Sequence, residues 1–105
     1  MKIEILYFDG CPNHDLAEQR VREALDELEL GAKAEIVRVS VKDENMAKEM
    51  RFPGSPTVRV NGADVAPGSS EESFSLRCRV YPTSSGFQGA PDKNSIRAAI
   101  ERTSA

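Results

Sequence analysis

The chain opens on a run in which Ile3, Ile5, Leu6, Tyr7 and Phe8 crowd together ahead of Asp9-Gly10. A short apolar run closed by a turn dipeptide predicts a central strand, buried on both faces and ending at Gly10. The period then changes. From Asp15 to Leu30 the apolar positions Leu16, Ala17, Val21, Ala24, Leu25 and Leu28 recur at helical spacing, while Glu18, Arg20, Arg22, Glu23, Asp26 and Glu27 fill the other face. That is an amphipathic helix, and Gly31 is its natural stop.

Ala34 to Val41 returns to alternation, with Ile36 on one side and Val37, Val39 and Val41 on the other, and predicts a second strand. Asp43 to Arg51 predicts a short helix capped by Asp43, with Met46, Ala47 and Met50 on one face; Pro53-Gly54-Ser55-Pro56 breaks it. Thr57-Val58-Arg59-Val60, then Asn61-Gly62, then Ala63-Asp64-Val65 reads as an antiparallel hairpin, because Asn-Gly suits a two-residue turn. Residues 66–90 are rich in Pro, Gly and Ser and read as a long functional loop or insertion, with one extended stretch from Phe74 to Tyr81. Pro91 to Thr103 closes the chain as a helix with Ile96, Ala99 and Ile100 inward. The order β-α-β-α-β-β-α predicts an α/β fold with a mixed central sheet flanked by helices, its first two strands parallel through the helical crossover.

The length of 105 residues confines all of this to a single domain, 1–105, since a second core would leave each half too small. Hydrophobic residues at 39% and charged residues at 30% describe a globular protein with a modest core. The net charge of -3 argues against a nucleic-acid partner, because that grip rests on many cations neutralising phosphates. No stretch approaches the roughly 20 apolar residues that span a bilayer, so no membrane partner is expected and a cytoplasmic location is the simplest reading. Two cysteines, Cys11 and Cys78, are too few for a disulfide scaffold, and a reducing compartment would not keep a permanent bridge. Chemistry or burial must account for them.

Cys11 follows the first strand directly and precedes Pro12, a residue favoured at the first position of a helix. It is therefore expected at or beside the helix N-cap, where unpaired N–H groups and the positive end of the dipole favour a thiolate nucleophile over a buried, inert thiol. His14, the one histidine, stands three residues on, so one helical turn could bring its imidazole to the sulfur; it could equally be a solvated first-turn residue. Cys78 lies between Arg77 and Arg79. If accessible, its charged neighbours would favour a thiolate; the alternation favours instead a buried set of Leu76, Cys78 and Val80 with both arginines outward.

Phe8-Asp9-Gly10-Cys11-Pro12-Asn13-His14 after a first strand, with Gly54-Ser55-Pro56-Thr57 before a third, resembles the thioredoxin and glutaredoxin superfamily, in particular small bacterial thioredoxin-like proteins. The resemblance implies a cis Ser55–Pro56 bond beside Cys11, and a substrate groove shaped by Pro12, Ser55, Pro56 and Thr57. It implies a thiol-disulfide oxidoreductase with Cys11 as nucleophile and His14 tuning it, acting on a thiol or disulfide substrate. The second cysteine of Cys-x-x-Cys is replaced by His14, which rules out a dithiol cycle within the motif. Three chemistries survive: a single-thiol cycle with glutathione as co-substrate, a remote resolving role for Cys78, or capture of a soft ion such as Hg(II) or Cu(I) by Cys11, His14 and Cys78. No bound cofactor or structural metal is implied. The alternative to an enzyme is a binding module that uses the same groove for a peptide, thiol or soft metal.

Overall fold

The computed structural model describes residues 1–66, 76 and 78–104. Strand β1 (Lys2–Tyr7) is the middle of the architecture. It pairs in parallel with β2 (Glu35–Ser40) and antiparallel with β3 (Thr57–Val60), and β4 (Ala63–Asp64) adds antiparallel to β3. The mixed sheet runs β2-β1-β3-β4, and α1 (His14–Glu27) supplies the crossover that the parallel pair requires.

Side chains alternate across a strand, so β1 feeds two cores. Ile3 and Ile5 enter a cluster with Ala17, Val21, Ala24 and Leu25 of α1, Val58 and Val60 of β3, and Ile96, Ala99 and Ile100 of α3 (Lys93–Ser104). Leu6 joins Val41, Ala47 and Phe52 in a second cluster that includes a residue of α2 (Glu44–Glu49). Among the described residues the chain is an α/β domain with three α-helices and a mixed sheet, with the central strand where its apolar run places it.

Local chemistry sets the helix ends. Asp43 caps α2, its carboxylate accepting from Met46 N–H at 2.8 Å. Helix α1 stops short of the expected Leu30, because Glu29 rather than Gly31 takes the left-handed conformation (φ 56°). Glu29 N–H then donates to Asp26 O (3.1 Å) and Leu30 N–H to Leu25 O (2.9 Å), satisfying carbonyls that the helix leaves open. The same motif ends α2 at Arg51 (φ 54°), and its second hydrogen bond, Phe52 N–H to Ala47 O at 2.8 Å, turns the buried Phe52 toward the second core. Asn61 and Gly62 have φ values of 50° and 90°, the positive pair that a tight hairpin needs.

The long loop expected over 66–90 is corrected in part. Strands β5 (Tyr81–Thr83) and β6 (Gly86–Gln88) form a small antiparallel hairpin, closed by Thr83 Oγ1 donating to Gly86 O at 2.6 Å. Three-residue strands interrupted by Pro82 carry no alternation long enough to read. Much of the stretch expected from Phe74, residues 74, 75 and 77, lies outside the described residues, as do 67–73. Helix α3 begins after Asp92 rather than at Pro91, because the Asp92 carboxylate accepts from Asn94 N–H at 2.9 Å. Arg20 of α1 ties this approach down, donating to Ala90 O and Pro91 O (both 3.1 Å) and to Gln88 Oε1 (2.6 Å). Among the described residues no helix is long and apolar enough to cross a membrane.

Candidate thiol site

Strand β1 delivers Cys11. The chain turns after it, with Cys11 N–H donating to Phe8 O (3.1 Å), and α1 opens only at His14, its first hydrogen bond running from Ala17 N–H to Asn13 O. Cys11 therefore stands two residues ahead of the N-cap, Asn13, and not at or beside it as expected. The turn over residues 8–11 takes up the positions that would have begun the helix. Pro12 is exposed within the same connection.

The Ser55–Pro56 peptide bond is cis, as the resemblance anticipates, and the turn it makes reaches Cys11. The Cys11 thiol donates to Ser55 O at 3.4 Å. The expectation of a reachable sulfur fails, however, because Cys11 is 0% exposed.

The chain itself packs onto this turn. A parallel bridge pairs Ser55 with Cys78, and Arg79 N–H donates to Ser55 O at 2.8 Å, so one carbonyl receives both the Cys11 thiol and the Arg79 amide. Cys78 is exposed. The Cys11 thiol beside it first, and then burial, pushes the Cys78 thiol above its ordinary value. Ser55, Pro56 and Thr57 are consequently buried and do not line an open groove, which corrects the substrate surface expected of them.

Leu76 packs at the edge of the second core as expected, but the alternation over 78–81 is inverted. Cys78 and Val80 are exposed, whereas the Arg79 side chain is only 11% exposed and Tyr81 is buried. Arg79 turns inward because it finds partners there: Asp64 Oδ2 at 2.8 Å, Thr57 Oγ1 at 3.4 Å, Ala66 O, and the Tyr81 ring at 4.6 Å from its centroid. Tyr81 O–H donates to Pro56 O, and burial pushes its phenol well above the ordinary range, which keeps it a donor. Arg79 is thus committed to Asp64 and its neighbours, and Arg77 lies outside the described residues. Sequence reasoning missed Arg79, Asp64 and Tyr81 as anchors. The one signal, an arginine inside an alternating run, reads as solvent-facing until Asp64 is known to lie beside it.

His14 is drawn elsewhere. Its ring packs on Tyr7 with centroids 4.4 Å apart, and Nδ1 lies against the Arg38 guanidinium and 3.4 Å from Asp15 Oδ1. Arg38 also pairs with Asp15 (2.8 Å) and Glu18 (3.2 Å), and its hydrogen bond holds the Asp15 carboxyl below the usual carboxylate range. Among the described residues the polar contacts of His14 run to this cluster and not to Cys11, so the expected tuning contact is absent. The reason is a competing partner: Arg38 on β2 and Tyr7 on β1 attract the imidazole to the sheet side. Among the described residues no group of three or more His, Cys, Asp or Glu side chains is placed to hold a metal ion. No family model, curated protein or solved structure matches the chain.

Proposed function

We propose that the protein is a thiol-disulfide oxidoreductase of thioredoxin-like build that cycles between a Cys11, Cys78 dithiol and a Cys11–Cys78 disulfide. The observation that carries this reading is that Ser55 anchors both cysteines, its carbonyl accepting the Cys11 thiol and its backbone bridging to Cys78. Cys78 supplies from a distant segment the second sulfur that His14 displaces from the usual spacing. The order β2-β1-β3-β4, the helix after β1 and the proline turn against the first cysteine support the fold half of the reading. Oxidation removes one hydrogen from each thiol and joins the sulfurs, and the shared Ser55 anchor is what brings the two cysteines together for that bond. A low-molecular-weight thiol of the glutathione class is the co-substrate that returns the dithiol by exchange.

Mild oxidation of the monomer is expected to yield an intramolecular Cys11–Cys78 bond, seen by mass spectrometry as linked peptides and the loss of two hydrogens. Cys11→Ser and Cys78→Ser should each abolish it. Only intermolecular dimers, or glutathione adducts that never resolve, would defeat the reading. The same pair of sulfurs favours a second one, a non-catalytic site for a two-coordinate soft ion, since thiolates select such metals. Tight Hg(II) or Cu(I) binding that needs both cysteines, in a protein that exchanges no disulfide, would favour it.

A further inference from the structure

Thiol-disulfide exchange requires the attacking sulfur to reach an external disulfide, and the two cysteines differ completely in that respect. Cys11 is 0% exposed and donates inward to Ser55 O, whereas Cys78 is exposed on the outer side of the bridged segment. We propose that the order of attack is the reverse of what the sequence suggests: Cys78 is the thiol that meets the external disulfide, and Cys11 is the buried thiol that resolves it. This rests on the dithiol reading above.

The steps balance. The Cys78 thiolate attacks one sulfur of glutathione disulfide; a Cys78–glutathione bond forms, the glutathione S–S bond breaks, and one glutathione thiolate leaves and is protonated by solvent. Cys11 then attacks the Cys78 sulfur, its proton passing to the departing glutathione sulfur. The Cys11–Cys78 bond forms, the mixed disulfide breaks and the second glutathione leaves. The external disulfide gains two electrons and the protein loses two.

The neighbouring Cys11 raises the Cys78 thiol above its ordinary value, which lowers its thiolate fraction without closing its route to an external disulfide. Access then decides which sulfur reacts, since exchange rates depend on which sulfur is reached as well as on thiolate fraction. Cys78 has the outward route. Cys11 has its outlet at Cys78, which suits it to the second step alone.

The experiment uses the full chain with glutathione disulfide as probe. Cys11→Ser should form a stable Cys78 adduct faster than Cys78→Ser forms a Cys11 adduct, by about tenfold or more. A wild-type sample given limiting iodoacetamide needs no substitution and should carry label on Cys78 first. Faster adduct formation or labelling at Cys11 overturns the order of attack, even if the internal disulfide forms. A wild-type chain that holds the adduct on Cys78 and never closes to Cys11 sinks the dithiol reading instead.

Discussion

The segment carrying Cys11 and the segment carrying Cys78 meet at one carbonyl, Ser55 O, but different forces hold them. Cys11 extends from β1, a strand paired along its length with β2 and along most of it with β3, and buried on both faces by Ile3, Ile5 and Leu6. Its position is fixed by apolar packing spread over many residues. Among the described residues, the 76–81 segment is held by the Leu76 and Arg79 amides on Glu44 Oε1 and Ser55 O, by Leu76 against the edge of the second core, and by the Arg79 guanidinium and the Tyr81 hydroxyl. Distributed burial makes a rigid support, whereas a segment fixed mainly by a few polar contacts can open locally at lower free energy. A buried thiol on the frame, covered by an exposed thiol on a polar tether, is the arrangement that follows.

Substitutions on either side sharpen this contrast. Ile5→Ala, in the centre of the frame, should cost about 4 kcal/mol through lost transfer energy and the cavity left behind. Urea unfolding would show it as a lower midpoint with little change in slope; a cost under about 1 kcal/mol would mean that β1 is not the central support. Arg79→Ala should cost less, about 2 kcal/mol, because Asp64 loses its partner yet is 20% exposed and partly solvated. Its larger effect should be local. Alkylation of Cys11 should speed up and internal disulfide formation slow down, and unchanged Cys11 labelling would show that Arg79 does not hold the cover.

Arg38→Gln should have the smallest effect. Asp15 is exposed and its carboxyl is depressed chiefly by the Arg38 hydrogen bond. The contribution of this pair is present above the ordinary carboxylate value and is lost as pH falls through the depressed one. In the variant, carboxyl titration followed by NMR should move Asp15 up toward its ordinary value, while the thiol reaction rates stay unchanged. A fall in thiol reactivity would connect the His14 cluster to the site after all.

Burial of the central strand on both faces, the inward face of α1, the Asp43 cap and the Asn61-Gly62 turn were legible because each is written in neighbouring residues. The position of Pro56 against Cys11 was legible only through a resemblance, since no local pattern brings residues so far apart in the chain into contact. Arg79 and His14 were misjudged for one shared reason. Each was assigned by its own element's periodicity, and each was redirected by a partner from elsewhere: Arg79 by Asp64 on β4, His14 by Arg38 on β2 and Tyr7 on β1.

What the amino-acid sequence determined by itself is the longer helices and strands and which side of each is apolar, because helix and strand periods are local properties of side-chain direction. It also determined that only two sulfurs are present. Which cysteine faces water, and that the two meet at Ser55, was decided by tertiary structure alone. A single ion pair between β4 and the 76–81 segment is too small to appear in any periodicity, yet it helps set which way the alternate side chains of that segment face.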